Sequence, residues 1–329
     1  MTMIRRRALA GLGAAALAAP FGAPRHAAAA AWPAERPILV VVPFPPGGGV
    51  DQMARVILPY VQKHLPGATF VVENRPGAGS QIGMEFAFTA RPDGYTLGAV
   101  TSPALMTIPF ERPVRYRVED FVYVANVVDD PGGLWVAKGS PVRDMEDLLE
   151  RARKDPGGLS FGTTGIGSDD HLVMLEIEEA VPGIRFSHVP FNGAAPLQTA
   201  VLGGHLDVGC FNVSEGAPGY RDGRFRCLGQ AGAQRDPALP EVPTFTELGV
   251  KVVAGAQRGI VAPPGIPEEV RTRLNAAFAA ALADPEFLAD AKRLQLPAKA
   301  MIGDEYRQAV LGLDARLKEM WARKPWRDQ

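Results

Sequence analysis

The sequence predicts an α/β protein built from two lobes. Strands alternate with helices through the first half of the chain, and 329 residues suggest two domains rather than one. A short string also recurs, because Val42-Pro43-Phe44 and Val189-Pro190-Phe191 each end a predicted strand and are each followed by glycine and a helix. In open parallel sheets, ligands bind at the carboxyl ends of the strands. The two strings therefore predict half-sites that face each other across a cleft.

The first lobe begins with a regular alternation of strand and helix. The β-branched run at 37–42 predicts a strand, and the apolar spacing over 50–65 predicts a helix. A strand at 69–72, a helix at 80–90 and a strand at 95–100 follow. Three strands joined by two helices predict a parallel sheet with right-handed crossovers.

The pattern changes at two places that we interpret as crossings between the lobes. Strand-like runs at 121–128 and 134–137 flank Asp129-Asp130-Pro131-Gly132-Gly133, and a return crossing is predicted at 251–261. The simplest arrangement inserts a middle lobe into the first one. The predicted lobes are 32–129 plus 254–329, and 130–253.

The middle lobe again alternates helix and strand, and the end of the chain is helical. The predicted helices are 144–153, 169–180, 197–202, 268–282, 285–294 and 304–321. The predicted strands are 159–162, 186–189, 206–213 and 224–229.

The first 31 residues have the pattern of a secretory signal. Arg5-Arg6-Arg7 is followed by the apolar run 8–19 and by a small-residue stretch at 27–31. The apolar run is too short and too rich in Ala and Gly for a stable membrane span. We expect cleavage near Ala30 or Ala31 and a periplasmic location, by the general or the twin-arginine route.

Composition excludes several classes of protein. Without the leader, which holds four Arg and no acidic residue, the chain has 31 basic and 36 acidic residues, a net charge of −5. An acidic balance without a basic block argues against nucleic acid as a partner. A hydrophobic fraction of 47% supplies two cores and excludes disorder.

The two cysteines leave two alternatives open. Cys210 and Cys227 lie in strand-like runs that are candidates for neighbours, and an exported protein meets an oxidising compartment. The pair therefore forms either a disulfide or two buried thiols, since Cys also behaves as a small hydrophobic residue. Neither cysteine has metal-ligand spacing to a His or to the other Cys.

Four turns between a strand and a helix are rich in glycine and small polar residues. They are 43–51, 74–83, 162–171 and 191–196. Glycine allows close approach of a ligand to the backbone, and free N–H groups at a helix start attract an anion. One such turn is ordinary turn chemistry, but four in one chain predict a ligand cleft.

Known catalytic and cofactor motifs do not fit these turns. Gly77, Gly79 and Gly83 are spaced one residue too long for a dinucleotide fingerprint, and a phosphate-binding P-loop is missing. Ser168 lies one place late for a nucleophile elbow, although Ser168 with His171 leaves a secreted hydrolase as the alternative function. The adjacent Asp169, Asp170 and His171 point to different helix faces, so we expect no metal and no cofactor.

Eight ordered segments form a more specific set that covers nearly the whole chain after residue 31. They are 38–48 with Asp51 and Ala54-Arg55, 71–79 with Gly83, 92–97, Gly167-Ser168 with His171-Leu172, 189–193 with Pro196, 202–204 with Asp207, 238–240 with 242–244, and 262–267. Together they resemble the Bug family, the extracytoplasmic solute receptors of tripartite tricarboxylate transporters.

The resemblance implies a type II periplasmic-binding-protein fold, with two α/β lobes that close over a small carboxylate and no catalysis. It also implies membrane transporter subunits as partners, and we expect a monomer. The implied ligand contacts in the first lobe are Phe44, Pro46, Gly47, Gly48, Gly49, Thr101 and Ser102. Those in the second lobe are Thr163, Gly165, Ser168, His171, Phe191, Asn192 and Gly193.

The chain departs from the family pattern near the implied ligand. Asn192 stands where the family often has Lys, and Phe191 where it often has Tyr. Asp169 and Asp170 are unusually acidic for their turn, so either one, if it faced the cleft, would pair with an amine or repel a second carboxylate. These departures weaken the expectation of a strongly dianionic ligand.

Overall fold

The computed structural model describes residues 32–323 and 325–326, so the signal predicted for residues 1–31 lies outside them. Ten strands form one continuous sheet. The strands are β1 (Ile38–Val42), β2 (Phe70–Asn74), β3 (Thr96–Ser102), β4 (Val122–Ala137), β5 (Ser160–Thr163), β6 (Ser187–Pro190), β7 (Val208–Asn212), β8 (Phe225–Gln230), β9 (Gly255–Ala262) and β10 (Ala298–Ile302).

Helices cover both faces of this sheet. They are α1 (Gly49–His64), α2 (Gln81–Phe88), α3 (Ala104–Glu111), α4 (Met145–Lys154), α5 (Asp169–Ala180), α6 (Ala194–Leu202), α7 (Val213–Arg221), α8 (Glu268–Leu282), α9 (Pro285–Arg293) and α10 (Asp304–Arg323). Within the described part of the chain, none of these helices is both long enough and apolar enough to cross a membrane.

The strand order shows how the sheet joins two halves. The order is β2-β1-β3-β9-β4-β7-β5-β6, with β8 and β10 also paired to β4. On one side β1 lies parallel to β2 and β3, and on the other β5 lies parallel to β6 and β7. The antiparallel strands β4 and β9 lie between these parallel groups. The parallel sheet predicted for the first lobe is therefore present.

The predicted break in the first crossing is wrong, because β4 is one strand of 16 residues. Its first part pairs with β9 up to Pro131, which lies opposite Gly255. From Gly132 onward its partners are β7 and β8. Proline lacks an N–H for the ladder, and here it occupies the point where the strand changes partners. A turn-like sequence is thus accommodated within a continuous strand.

Separate cores lie on either side of this change of partner. In the first lobe, α1, α8 and α9 pack on one face of the sheet, and α2, α3 and α10 on the other. In the second lobe, α4 and α5 contribute to one core, and α6 and α7 to another. The residue boundaries of 32–129 plus 254–329 and 130–253 stay a prediction.

Three elements were not predicted from the sequence: α3, α7 and β10. Pro109 lies inside α3 and Pro218 inside α7, and a proline within a short segment argues against a helix. The strand β10 has only five residues, of which the first three are exposed, and it pairs with the first part of β4. Its formation depends on that partner rather than on its own sequence.

The two cysteines are free thiols. Cys210 lies opposite Leu134 and Cys227 opposite Trp135, so β4 runs between the two strands that carry them. A disulfide requires the two Cα atoms within about 7 Å. The interposed strand therefore excludes the disulfide alternative in this fold.

Candidate functional site

The turn between β1 and α1 is held by a buried carboxylate. Asp51 is 3% exposed and accepts hydrogen bonds from the Gly47 N–H (2.9 Å), Arg55 Nε (3.0 Å) and Asn74 Nδ2 (2.9 Å). Burial alone would raise the pKa of Asp51, but the bonds from Arg55, Gly47 and Asn74 outweigh it and lower the pKa. Asn74 also donates to the Phe44 carbonyl (3.0 Å). The turn is therefore rigid and its supporting carboxylate stays ionised.

The start of α1 is left open by this arrangement. Gly48 is the N-terminal cap residue, and no side chain caps the helix. A Cβ on Gly49 would lie 2.5 Å from Cζ of Arg258, so only glycine fits beside that guanidinium. The positive end of the helix dipole and a buried cation thus lie together.

Arg258 joins both lobes through its guanidinium, which is 3% exposed. It lies on β9 opposite Thr101 of β3, so the two side chains share a face of the sheet. Its Nη1 donates to Asp130 Oδ2 (2.6 Å) and its Nη2 to Asn212 Oδ1 (2.8 Å). Asp130 belongs to β4 and Asn212 ends β7, and the cation therefore links three strands.

The carboxylate partner of Arg258 is itself held by the start of α7. The backbone N–H of Ser214 donates to Asp130 Oδ1 (3.1 Å), and its hydroxyl donates to Oδ2. Glu215 lies 3.6 Å from Arg258, and its other oxygen accepts from the Asn212 N–H (3.3 Å) in a capping box. Asp130 therefore occupies a place that an anionic ligand would suit, with a cation and a helix start as its partners.

Burial is the largest single influence on the pKa values of Arg258 and of two carboxyl groups near it. It raises the pKa of Glu215 to about 7, although Arg258 opposes this effect. The pKa of Asp169 is raised for the same reason, and hydrogen bonding to Asn212 works against the rise. Burial would lower the pKa of Arg258, but Asp130 and Glu215 outweigh it and raise that pKa. One permanent cation thus faces several carboxyl groups.

The second lobe contributes the turn 163–168 between β5 and α5. Gly165 (φ +147°) and Gly167 (φ +68°) have backbone conformations that favour glycine. Thr163 is fully buried, and its Oγ1 lies 2.7 Å from His188 Nε2. The Thr107 hydroxyl of α3 donates to the Gly167 carbonyl (2.7 Å), and this turn therefore contacts the first lobe directly.

Ser168 and His171 are placed as structural residues of this turn. Ser168 Oγ accepts from the backbone N–H of His171 (3.2 Å) and so caps α5. The imidazole of His171 is turned away, since its Nδ1 accepts from the Gly167 N–H (3.0 Å). A hydrolase would need the ring to take the serine proton. The geometry argues against that alternative.

Asp169 and Asp170 both point inward. Asp170 is fully buried and accepts from the Thr164 N–H (3.3 Å) and from the Thr164 hydroxyl. Asp169 is 8% exposed, and its Oδ2 accepts from Asn212 Nδ2 (2.8 Å). Asp169 therefore connects the turn 163–168 to the cluster around Arg258.

The repeated Val-Pro-Phe string of the second lobe also precedes an open helix start. The Phe191 N–H donates to the Thr163 carbonyl (2.9 Å), and a Cβ on Gly165 would lie 3.7 Å from the Phe191 carbonyl oxygen. Gly193 (φ +103°) precedes α6, which has no side-chain cap. Asn192 is exposed. Phe191 and the turn 163–168 are thus neighbours.

The structure brings the predicted ligand residues into two groups. Gly49 and Thr101 lie beside Arg258, and the glycines and Phe44 of the same turn accompany Gly49. The second group is the turn 163–168 with its neighbours in the second lobe. Its predicted ligand residues are Thr163, Gly165, Ser168, His171 and Phe191.

Ser102 and Pro46 are placed differently from the others. Ser102 lies opposite Gln257, one position from the Thr101–Arg258 pair, so its side chain belongs to the other face of the sheet. It is fully buried there. Pro46 is exposed on the turn before α1.

A groove of about 1510 Å³ runs along the other face of the crossing strands. Asp129 and Pro131 of β4 line it, as do Gly255 and Gln257 of β9, whereas Arg258, the next residue of β9, does not. Side chains alternate along a strand, so these groove residues and Arg258 lie on opposite faces of the crossing strands, although Asp169 lines the groove and also bonds to Asn212 of the cluster. The glycine-rich turn before α1 accompanies Arg258, and we place the candidate site there rather than in the groove.

Sequence reasoning missed the residues that connect the lobes, which are Asp130, Asn212, Glu215 and Arg258. Two signals were present. Arg258 is a charged residue in a strand whose other residues are uncharged, and a buried charge needs a partner. Asn212 and Glu215 have the spacing of a capping box directly after a strand, which is typical of a helix start. Within residues 32–323 and 325–326, the structure has no cluster of three or more His, Cys, Asp or Glu suited to a metal ion.

Comparison with known proteins identifies the family. Residues 53–312 match TctC, the tripartite tricarboxylate transporter family receptor. The chain belongs to the TctC family. Protein BugT of Bordetella pertussis is 32% identical over 281 residues, which are 84% of this chain and 83% of BugT. The resemblance to Bug receptors is therefore confirmed.

Solved structures of similar proteins have the same fold. MatC from Rhodopseudomonas palustris, solved with bound malate, is 29% identical, with a TM-score of 0.74 over 88% of this chain and 98% of that one. A second R. palustris protein, solved with adipate, is 28% identical, with a TM-score of 0.80 over 88% and 97%. The two-lobed periplasmic-binding-protein fold is confirmed. TctC proteins are periplasmic receptors rather than enzymes, and they work with tripartite transporters.

Proposed function

We propose that this TctC receptor captures a small carboxylate between its lobes and delivers it to a membrane transporter of the tripartite tricarboxylate type. The observation that carries the proposal is the repeated Val-Pro-Phe string. In each lobe it is followed by glycine and by a helix start without a side-chain cap, at Gly48 and at Gly193. By contrast, Asp144 and Ser168 cap α4 and α5. Uncapped N–H groups favour an anion.

The relatives support the choice of a carboxylate. One was solved with malate and another with adipate, both small carboxylates, at 29% and 28% identity to this chain. The buried guanidinium of Arg258 lies beside Gly49 at the first helix start, where it is paired with Asp130. We propose that the ligand contacts the two groups of predicted residues described above, one around Gly49 and the other around the turn 163–168.

The same proposal includes export and assembly. We propose that residues 1–31 are a signal peptide, cleaved near Ala30 or Ala31, and that the mature receptor is a monomer. We also propose that the lobes are 32–129 plus 254–329, and 130–253. Closure of one lobe on the other would bury the ligand and create the surface that the transporter recognises.

A thermal-shift screen tests the ligand. The panel contains malate, adipate, aromatic acids and acidic amino acids, and we expect at least one strong stabiliser. A ligand at 100 times its Kd stabilises the folded state by about 2.7 kcal/mol. The absence of any stabiliser would overturn the carboxylate proposal.

A pair of glycine variants tests the place of binding. Gly48 has φ −79°, and the nearest atom to a Cβ built there is the Pro45 carbonyl oxygen at 3.9 Å, so Gly48→Val fits the ligand-free fold. We expect this variant to keep its stability and lose binding, because the added side chain blocks the helix start. Gly139→Val, at an exposed turn where a Cβ meets nothing within 4 Å, is the matched control. Equal affinity in both variants would show that the turn before α1 is no binding site.

A further inference from the structure

The turn 163–168 is bonded to two stacked imidazoles, and one of them belongs to His171, a residue that the ligand proposal includes. The rings of His171 on α5 and His188 on β6 have centroids 4.0 Å apart and an interplanar angle of 6°. His171 Nδ1 accepts from the Gly167 N–H (3.0 Å), and His188 Nε2 lies 2.7 Å from Thr163 Oγ1. The two rings therefore bond to both ends of the turn.

The conformation of the turn needs this support. Gly165 has φ +147° and Gly167 has φ +68°, and such glycines retain wide backbone freedom unless neighbouring groups fix them. Thr163 Oγ1 bonds weakly within the turn, to the Gly165 N–H (3.4 Å) and carbonyl (3.3 Å). The bonds to the two imidazoles are shorter, as are the bonds of Thr164 to Asp170 and of Thr107 to the Gly167 carbonyl.

The same turn makes the contact between the lobes. The Gly167 peptide donates its N–H to His171, and the Gly167 carbonyl accepts from Thr107 of the first lobe (2.7 Å). A Cβ on Gly165 would lie 3.7 Å from the Phe191 carbonyl oxygen. A change in the His171 ring would therefore displace both the lobe contact and the wall of the proposed ligand site.

The bond to Gly167 specifies the proton on His171. A backbone N–H only donates, so Nδ1 must carry no proton, and the neutral ring has its proton on Nε2. We propose that His171, stacked on His188, is a positioning residue that holds the turn 163–168 and its contact with Thr107 through an unprotonated Nδ1. The expected effect on ligand binding rests on the proposed function, whereas the role of His171 in the turn does not.

The surroundings of the pair keep it neutral. His171 is 5% exposed. Burial, and then the adjacent His188, lower the pKa of His171 to about 3. The elements around the pair carry these titratable groups: Glu111 on α3, Asp169, Asp170, Glu176, Glu178 and Glu179 on α5, and Cys210 on β7. Burial raises the pKa of both aspartates and of Cys210, which weakens their ability to stabilise an imidazolium.

The first test is spectroscopic and needs no ligand. The full-length mature protein is labelled with ¹⁵N-histidine, and the His171 ring signals are assigned by their loss in His171→Asn. We expect a pyridine-type Nδ1 that stays unprotonated down to about pH 5, where an imidazole with an ordinary pKa near 6.5 is mostly charged. A protonated Nδ1, or a titration near the ordinary value, would overturn the proposal.

The second test separates the acceptor from the ring. His171→Phe keeps an aromatic ring for stacking but cannot accept a bond, whereas His171→Asn loses the ring and keeps an acceptor at the δ position. We expect amide exchange at Gly167 to accelerate about tenfold in the Phe variant and by less than about threefold in the Asn variant. His205→Asn, at an exposed histidine, is the control. Equal exchange in both His171 variants would contradict a role for Nδ1.

The third test connects the turn to binding. Malate and adipate are titrated calorimetrically into each variant, and for the one that binds, affinity should fall about tenfold in His171→Phe and be largely rescued in His171→Asn. Equal losses of affinity and of melting temperature in both variants would indicate that His171 contributes only by packing, and would contradict the proposal. If neither acid binds the unmodified receptor, the proposed ligand fails, while the nitrogen signals and the exchange rates still decide the role of His171.

Discussion

Removal of the Arg258 side chain tests whether the buried cation holds the two lobes together. In Arg258→Met, the chain keeps a long side chain but loses the bonds to Asp130 (2.6 Å) and Asn212 (2.8 Å). The guanidinium and the Asp130 carboxylate are 3% and 0% exposed. Removing one partner of such a buried pair costs about 3–5 kcal/mol, because the other charge is left uncompensated. The Ser214 bonds to Asp130 remain, so we expect a loss near the lower end of this range.

Urea denaturation followed by circular dichroism measures this loss at neutral pH. Arg226→Met is the matched control, since Arg226 lies on β8 and bonds to the Val142 and Lys138 carbonyls rather than to a carboxylate. We expect a clearly smaller loss in the control. An equal loss in both variants would refute the conclusion that Arg258 has a special role.

A double-mutant cycle with Asp130→Asn isolates the pair itself. Both side chains belong to one network, so their separate effects should not add. We expect the double variant to lose less stability than the sum of the single variants by at least about 1 kcal/mol. Additivity within about 0.5 kcal/mol would mean that the two charges act independently, contrary to their 2.6 Å contact.

Two further predictions concern the same cluster. Burial raises the pKa of Glu215 to about 7 from a reference of 4.5, so the folded state binds more protons in this window and stability falls as pH rises from about 4.5 to 7. Glu215→Gln should therefore gain about 2 to 3 kcal/mol relative to the unmodified protein between pH 5 and 8, measured by urea denaturation, and a constant difference would contradict this. Gly49→Ala should displace Arg258, since a Cβ lies 2.5 Å from Cζ, and lower the melting temperature. Gly312→Ala, where a Cβ meets nothing within 4 Å, should not lower it, and equal losses would show that Gly49 has room for a side chain.

The helices and strands with strong local patterns were predictable from sequence. The predicted helices 169–180 and 268–282 coincide with α5 and α8. The elements that were missed depend on tertiary partners: α3 and α7 contain prolines, and β10 forms against β4. Residues 129–133 have the composition of a turn, yet they continue a strand because β7, β8 and β9 supply their hydrogen-bond partners. Local propensity does not encode such partners.

For the candidate site, the sequence predicted the backbone turns but not the side-chain contacts. Glycine-rich turns after strands indicated where helix starts would lie, and the turns before α1 and α6 agree with that expectation. The Arg258–Asp130 bond joins residues 128 positions apart, and no sequence spacing specifies such a contact. Ser102 was predicted together with Thr101, but adjacent residues of a strand have side chains on opposite faces of the sheet. Sequence proximity along β3 therefore does not show which of the two faces the site.

Because β4 separates the two cysteines, both stay free thiols, and their chemical modification can be used to detect local unfolding of the second lobe. Both thiols belong to the second lobe, and the chain has no other cysteine. Burial raises the pKa of Cys210 well above its usual value and that of Cys227 to about 12, so neither forms a reactive thiolate in the folded state. Cys210 is buried whereas Cys227 is partly exposed, so alkylation of Cys210 by a thiol-specific reagent requires local unfolding of the second lobe. The modification rate measures that event in the unaltered protein, with no label to introduce.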